Sequence, residues 1–454
     1  MKKSNLVKKS IFSLVSLAAI ISASACTTTN KQVENQVVYK TDRAVADNKV
    51  VLQTAQNQYF PLMIALQELV PIYNELEKNK EGFLPVELQK QDVTKATSEA
   101  NLAKNVITNI ESNSSDVPNL ILGNQASAYL INKYDKLLDL SDTNINKEIF
   151  PKKVINQFNL LPGQKNVEKI YNIPFDITDT DALVFNLDIM NVIFELVEKN
   201  GGNVDKNLEV YKKAQVAKEN TNQIPETSMF KYLKAKDSNA FKDFKIDNTT
   251  FSSIESIQNF SLEVFNRTKF DIASLSAEQK AKLSDVQIFT IDYQEDAFKK
   301  DLINRTNGQF LWSLDTKENN LIKFDLKDNQ KLQTEFSTLW DKWNSYNKQS
   351  LVEKVGEDTK SYFSIKYANN KTQWASWDIR TYNTAIAFAA AVGTNQSYDS
   401  ITSRNFFSRK DATAPKRWAS NIDVNWNSQV FNSNADKNLK TSYNLGGSSL
   451  IALS

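Results

Sequence analysis

The chain has 454 residues, 41% hydrophobic and 10% aromatic, with 55 Lys and Arg against 53 Asp and Glu. That length accommodates two or three domains or one large two-lobed protein, and so even a charge balance is not that of a nucleic-acid binder. Histidine is absent and Cys26 is the single cysteine, which excludes Ser-His-Asp and Cys-His nucleophile systems, His-ligated zinc and internal disulfides. Neither a G-x-x-x-x-G-K-[ST] phosphate loop nor a G-x-G-x-x-G fingerprint occurs. Binding survives, or carboxylate chemistry such as glycoside hydrolysis, although no pair of Asp or Glu is marked for it.

Residues 1–25 read as a leader. Lys2, Lys3, Lys8 and Lys9 make a basic start, "IFSLVSLAAIISASA" is apolar but too short to span a bilayer, and Ala23-Ser24-Ala25 precede Cys26. This is the pattern of a bacterial lipoprotein signal, with Ala23 where Leu is usual. Cys26 is therefore the expected acylation site, and the expected location is the outer face of the cell membrane, held by a lipid anchor. Without the leader's four lysines, 51 basic residues face 53 acidic ones. Residues 26–48 read as a polar tether.

From there strands and helices alternate, as a parallel α/β sheet requires. "KVVLQTA" is a β-branched strand, and "PLMIALQELVPIYNELEKNK" carries Leu62, Leu66, Leu69, Val70, Tyr73 and Leu76 at helical spacing. "FLPVELQKQD" is a second strand, "VTKATSEANLAKNVITNIESN" a second helix, and "DVPNLILGN" a third strand. A helix follows through "QASAYLINKYDKLLDLS". Ile173-Pro174-Phe175-Asp176 then leads into Ala182–Asn186 as a fourth strand, and the next helix stops at Gly201-Gly202. Asn203 to about Lys245 is Lys-rich and reads as surface helices and loops. "FSSIESIQNFSLEVFNRTKFD" and "KLQTEFSTLWDKWNSYN" are helices, and in the second Trp340 and Trp343 stand at helical spacing, as core or contact residues.

Three stretches, in order, resemble the family 1 extracellular solute-binding proteins of ABC importers, the maltose- and glycerol-phosphate-binding group. In "DVPNLILGNQASAYLINKYDKLLDLS", Pro118-Asn119-Leu120-Ile121 and Leu137-Leu138-Asp139-Leu140 match the family's segments. In "YNIPFDITDTDALVFNLDIM", Phe185-Asn186-Leu187-Asp188-Ile189 takes the place of a Tyr-Asn-Lys-Asp-Leu run. The closing "YNLGGSSLIALS" resembles the Gly-Gly strand that returns the chain to its first lobe. The likeness covers about residues 50–200 and 360–454, and it is similar to divergent surface lipoproteins of wall-less bacteria.

The resemblance implies a periplasmic-binding-protein-like α/β fold, two lobes around a hinged cleft: lobe 1 at 49–180, an enlarged lobe 2 at 181–445, and a crossover strand at 446–454. It implies a non-enzymatic, monomeric binder without cofactor or metal that takes up a small-molecule solute and presents it to ABC permease subunits. In such sheets ligands meet the loops beyond the carboxyl ends of strands. Here those loops offer Gln56, Asn57 and Tyr59, then Asn124 and Gln125, then Asp176. Amides donate and accept hydrogen bonds and aromatic faces cover sugars, although each residue also suits an ordinary turn. In "NNKTQWASWDIRTYN", Trp374 and Trp377 are expected on opposite sides of a strand, with Trp377 the better ligand contact. Arg380 either forks onto an anionic solute or pairs with Asp378, which stands where the family turn has Gly. Trp312 either stacks a ligand or packs. The competing expectation is a surface adhesin or host-protein binder on a scaffold whose cleft has decayed. By the same resemblance further helices follow the last strand, so Ser454 is expected to be a truncation point with Leu450–Leu453 incompletely covered.

Overall fold

The computed structural model describes residues 48–162, 168–176, 181–220, 224–315, 321–347, 350–355, 358–368, 374–407, 418–428 and 447–454. The expected leader, Cys26 and most of the tether lie outside the described residues, as does Gly446. The described chain divides into two compact α/β units: one runs up to Ile177 and is rejoined by the last residues, and the other is built from the long segment between. Among the described residues eleven strands form the two main sheets. They are β1 Val50–Gln53, β2 Val86–Gln89, β3 Leu120–Gly123, β4 Asn172–Asp176, β5 Asp181–Asn186, β6 Val286–Ile291, β7 Ser350–Val355, β8 Asp358–Tyr367, β9 Thr384–Ala390, β10 Val424–Ser428 and β11 Ser448–Ala452.

The first unit holds the sheet β2-β1-β3-β11-β4, with β1 parallel to β2 and β3, and β11 antiparallel to both its neighbours. Period-two alternation divides the strand residues between two cores. Val50, Leu52, Leu120, Leu122, Leu450 and Ala452 point to one face, where the helix Pro61–Glu77 lays down Met63, Leu66, Val70 and Tyr73. Ile121, Ile451 and Leu453 point to the other, under Leu102, Val106 and Ile110 of the helix Glu99–Glu111 and Ala128 and Ile131 of the helix Gln125–Asn132. The expectation that Leu450–Leu453 is incompletely covered is thereby corrected. The final strand sits inside the sheet, paired on both sides, and all four residues are buried. The helix expected through "QASAYLINKYDKLLDLS" is shorter, ending at Asn132, and Leu137 instead bridges Leu453.

The second unit holds β7-β8-β6-β9-β5-β10, in which β6, β8 and β9 run parallel and β5, β7 and β10 antiparallel to their neighbours. The fourth strand expected at Ala182–Asn186 is β5 of the second sheet, and the Ile173–Asp176 segment that leads into it is a strand of its own, β4 of the first sheet. The helix Leu187–Lys199 follows β5 and ends as expected: Gly201 takes φ +92° and the Gly202 N–H returns to the Val197 carbonyl at 2.9 Å. A Cβ on Gly202 would stand 2.6 Å from Val197 Cγ1 and 3.0 Å from the Phe244 carbonyl oxygen. Gly202→Ala is expected to cost upwards of about 1 kcal/mol, read as a lower thermal midpoint by tryptophan fluorescence.

The Lys-rich stretch after Gly202 is not confined to the surface. Val204, Val210, Met229, Phe230, Leu233 and Phe241 are buried in the main core of this unit, because a few well-spaced apolar residues suffice to seat each short element. The helices Ile254–Arg267, Gln294–Arg305 and Gln330–Asn347 are tied by Glu255, Asp301, Arg305 and Lys342. Trp343 is buried at this junction, whereas Trp340 is exposed. Among the described residues no helix is long and apolar enough to cross a membrane.

Candidate functional site

In the first unit β1, β2, β3 and β4 all end at one edge of the sheet, because β11 runs antiparallel to both β3 and β4. Gln56, Asn57 and Tyr59 leave β1 there. The Gln56 carbonyl accepts from the Gln91 N–H at 3.1 Å, and Asn57 Nδ2 donates to Gln91 Oε1 at 3.0 Å. Asn57 Oδ1 accepts from the Tyr59 N–H at 3.1 Å, so the loops after β1 and β2 form one amide-lined rim with the Tyr59 ring exposed upon it. At the end of β3, Asn124 is a helix cap: its Oδ1 accepts from the Ser127 N–H at 3.0 Å while Ser127 Oγ accepts from the Asn124 N–H at 3.3 Å. That reciprocal box engages the side chain which the sequence offers to a solute. Gln125 is the first residue of the capped helix, and Asp176 closes β4 at the same edge, opposite Ser448.

In the second unit β6 and β8 end side by side at Ile291 and Tyr367, level with Phe388 of β9, which runs on to Ala390. Asp292 follows β6 and is buried; both its oxygens accept from the Ala375 N–H, at 3.0 and 3.1 Å. Its neighbour Tyr293 takes a left-handed backbone, φ 49°, and packs its half-buried ring 5.5 Å from that of Trp374. Lys300 pairs with Asp181 at the same edge, where Asp181 stands opposite Ala390. Beneath, Asp378 Oδ2 accepts from Gln287 Nε2 at 2.8 Å and Lys366 Nζ at 3.2 Å, and burial pushes its carboxyl up.

Trp374 and Trp377 are not on a strand. Trp374 is the N-cap residue of the helix Ala375–Arg380, whose first N–H donates to the Asp292 carboxylate. The residues expected at the site divide accordingly. Trp377 is half-buried and donates Nε1 to Gln396 Oε1 at 2.9 Å. Arg380 is enclosed, at 3% exposure, rather than presented to a solute. Its Nη1 donates to the Gln396 carbonyl at 2.6 Å, its guanidinium lies 4.3 Å from the Trp418 ring centre, and burial lowers its pKa to about 10. Trp312 lies elsewhere, on the hairpin Trp312–Asp315/Leu321–Phe324, directly opposite Phe324, with exposures of 46% and 68%. Asp292 and Tyr293 escape sequence analysis, and Trp374 is passed over for Trp377. The available signals are an acidic residue closing the β-branched run Val286–Ile291 and an aromatic immediately after it. Among the described residues no group of three metal-ligating side chains comes together.

Solved structures align with most of this chain. The GacH receptor of Streptomyces glaucescens, solved unliganded and with acarbose, aligns with 89% of this chain and 71% of its own at 12% identity and a TM-score of 0.45. UgpB of Mycobacterium tuberculosis, in complex with glycerophosphocholine, aligns over 89% and 70% at 11% identity and a TM-score of 0.45. The maltose/maltodextrin-binding domain MalE of Bdellovibrio bacteriovorus, bound to maltotriose, aligns over 89% and 71% at 10% identity and a TM-score of 0.42. No family model and no curated protein matches the chain.

Proposed function

We propose that this chain is a non-enzymatic solute-binding protein that captures a small hydroxylated solute, of sugar or glycerol-phosphate type, and hands it to ABC permease subunits. The observation that supports it best is the Tyr293–Trp374 ring pair at the carboxyl edge of three parallel strands, beside the Asp181–Lys300 pair. Such an edge is where open α/β sheets hold ligands, and paired rings with charged groups alongside suit the mixed apolar and polar faces of a sugar. The first unit's corresponding edge, with Gln56, Asn57, Gln91 and Tyr59, has the same chemical character. Acylation at Cys26 would keep the protein at the outer membrane face. A second reading, a surface lipoprotein that binds another protein, is favoured by the exposed apolar hairpin residues Trp312, Ile322 and Phe324.

Thermal-shift and calorimetric titration against maltotriose, acarbose, glycerophosphocholine, oligopeptides and nucleosides test the proposal, since a ligand of the native state raises its apparent stability. At least one hydroxylated solute is expected to bind, and Trp374→Ala to weaken it about tenfold with the unfolding midpoint little changed. No shift with any solute, or unchanged affinity in Trp374→Ala, would overturn it in favour of the second reading.

A further inference from the structure

Asp292 stands between the backbones that carry the two rings. It directly precedes Tyr293, and through its carboxylate it holds Ala375, the residue after Trp374. Its own N–H is fixed on the Phe388 carbonyl at 2.9 Å, so the carboxylate projects from a firmly held strand end. The Ala375 N–H is one of the donors that a helix start leaves without an intrahelical partner, and it is buried; only Asp292 among the described side chains accepts from it. Tyr293 keeps a left-handed conformation that a bulky residue adopts when its surroundings impose it. One side chain thus links the strand end that presents Tyr293 to the helix start that presents Trp374.

We propose that Asp292 is the positioning residue of the Tyr293–Trp374 platform: ionised, it draws the helix start onto the strand end and sets the rings against each other, and protonated it relaxes them. Its consequence for solute capture rests on the solute-binding reading above; its effect on the rings does not. The charged groups that act on Asp292 are Asp378, on the helix it grips, and Lys366, on β8. Burial pushes the Asp292 carboxyl up to about 7, the Ala375 hydrogen bond pulls it down, Asp378 pushes it up and Lys366 pulls it down. The transition therefore falls where a modest change in acidity alters the population of the gripped state.

Incorporation of 5-fluorotryptophan into the full chain gives a ligand-free test, with the Trp374 resonance assigned by its loss in Trp374→Phe. In the wild-type protein that resonance is expected to titrate between about pH 5 and pH 9 with a midpoint near the Asp292 value, and in Asp292→Asn to stay constant. If Asp292→Asn does not fold, Asp378→Asn removes the neighbouring like charge and is expected to move the wild-type midpoint down. A flat Trp374 resonance in wild type overturns the proposal, as does an unchanged titration in Asp292→Asn or an unmoved midpoint in Asp378→Asn. A titrating resonance in a protein that binds no member of the solute panel supports the positioning role and overturns only the solute-binding reading.

Discussion

Replacing Ile451 with alanine is expected to destabilise the first unit by about 3 kcal/mol, among the larger costs a single side chain can carry. Ile451 has no exposed surface and lies in the middle of β11, between β3 and β4, at the centre of the smaller of the two cores on that sheet. Its contacts are close enough to dictate a neighbour: a Cβ on Gly123 would stand 2.9 Å from Ile451 Cδ1. Removing its outer carbons therefore leaves a void in a strand clamped on both sides, which cannot collapse to fill it. All seven tryptophans lie at or after Trp312 and before Gly447, so tryptophan fluorescence reports on the second unit. Urea unfolding followed by far-ultraviolet circular dichroism should show an earlier transition in Ile451→Ala that fluorescence does not share. A loss below about 1 kcal/mol would mean that the closing strand is dispensable to the first sheet.

The same strand shows what sequence pattern can and cannot convey. Runs such as Val50–Gln53, Leu120–Gly123 and Leu450–Leu453 announce themselves because their apolar residues are contiguous and bounded by turn residues. That Leu450–Leu453 is covered could not be read off, since the covering comes from the helices Pro61–Glu77, Glu99–Glu111 and Gln125–Asn132, far away in the chain. Asn124 was legible as a turn residue and became a cap through Ser127, three places on, which is local chemistry. The surroundings of Arg380 were not legible, for the opposite reason: Gln396 and Trp418 enclose it, and no local pattern ties either to the arginine. The six residues Ala375–Arg380 are too short for a helical period to declare itself, and their conformation is anchored by Asp292. Site geometry that depends on one long-range hydrogen bond leaves no periodic trace.

The second large effect is a loss of stability as pH rises from about 4 to about 7, centred on Asp188. Asp188 lies in the first turn of the helix Leu187–Lys199, is 7% exposed, and accepts from the Tyr382 hydroxyl at 3.0 Å. Burial first, and the nearby Asp423 charge second, push its carboxyl up to about 7, against the opposing Tyr382 hydrogen bond. The unfolded chain releases this proton near the ordinary value of 3.8, whereas the folded chain keeps it until about 7. Between those values the unfolded state binds fewer protons, so stability falls with rising pH and the loss is complete above about 7. A displacement of about 3 units corresponds to on the order of 4 kcal/mol, and Asp292 adds a loss of the same sign. Glu195 acts in the other direction: Lys199 and Lys218 hold it down to about 2, so its contribution disappears as pH falls through that range. The tryptophan-fluorescence midpoint in urea should therefore be highest in mildly acid solution. Asp188→Asn keeps an acceptor for Tyr382 and is expected to flatten the alkaline side. Asp423→Asn, which removes the lesser cause, should flatten it less, and an equal or larger effect at Asp423 would show that charge repulsion rather than burial controls the pair.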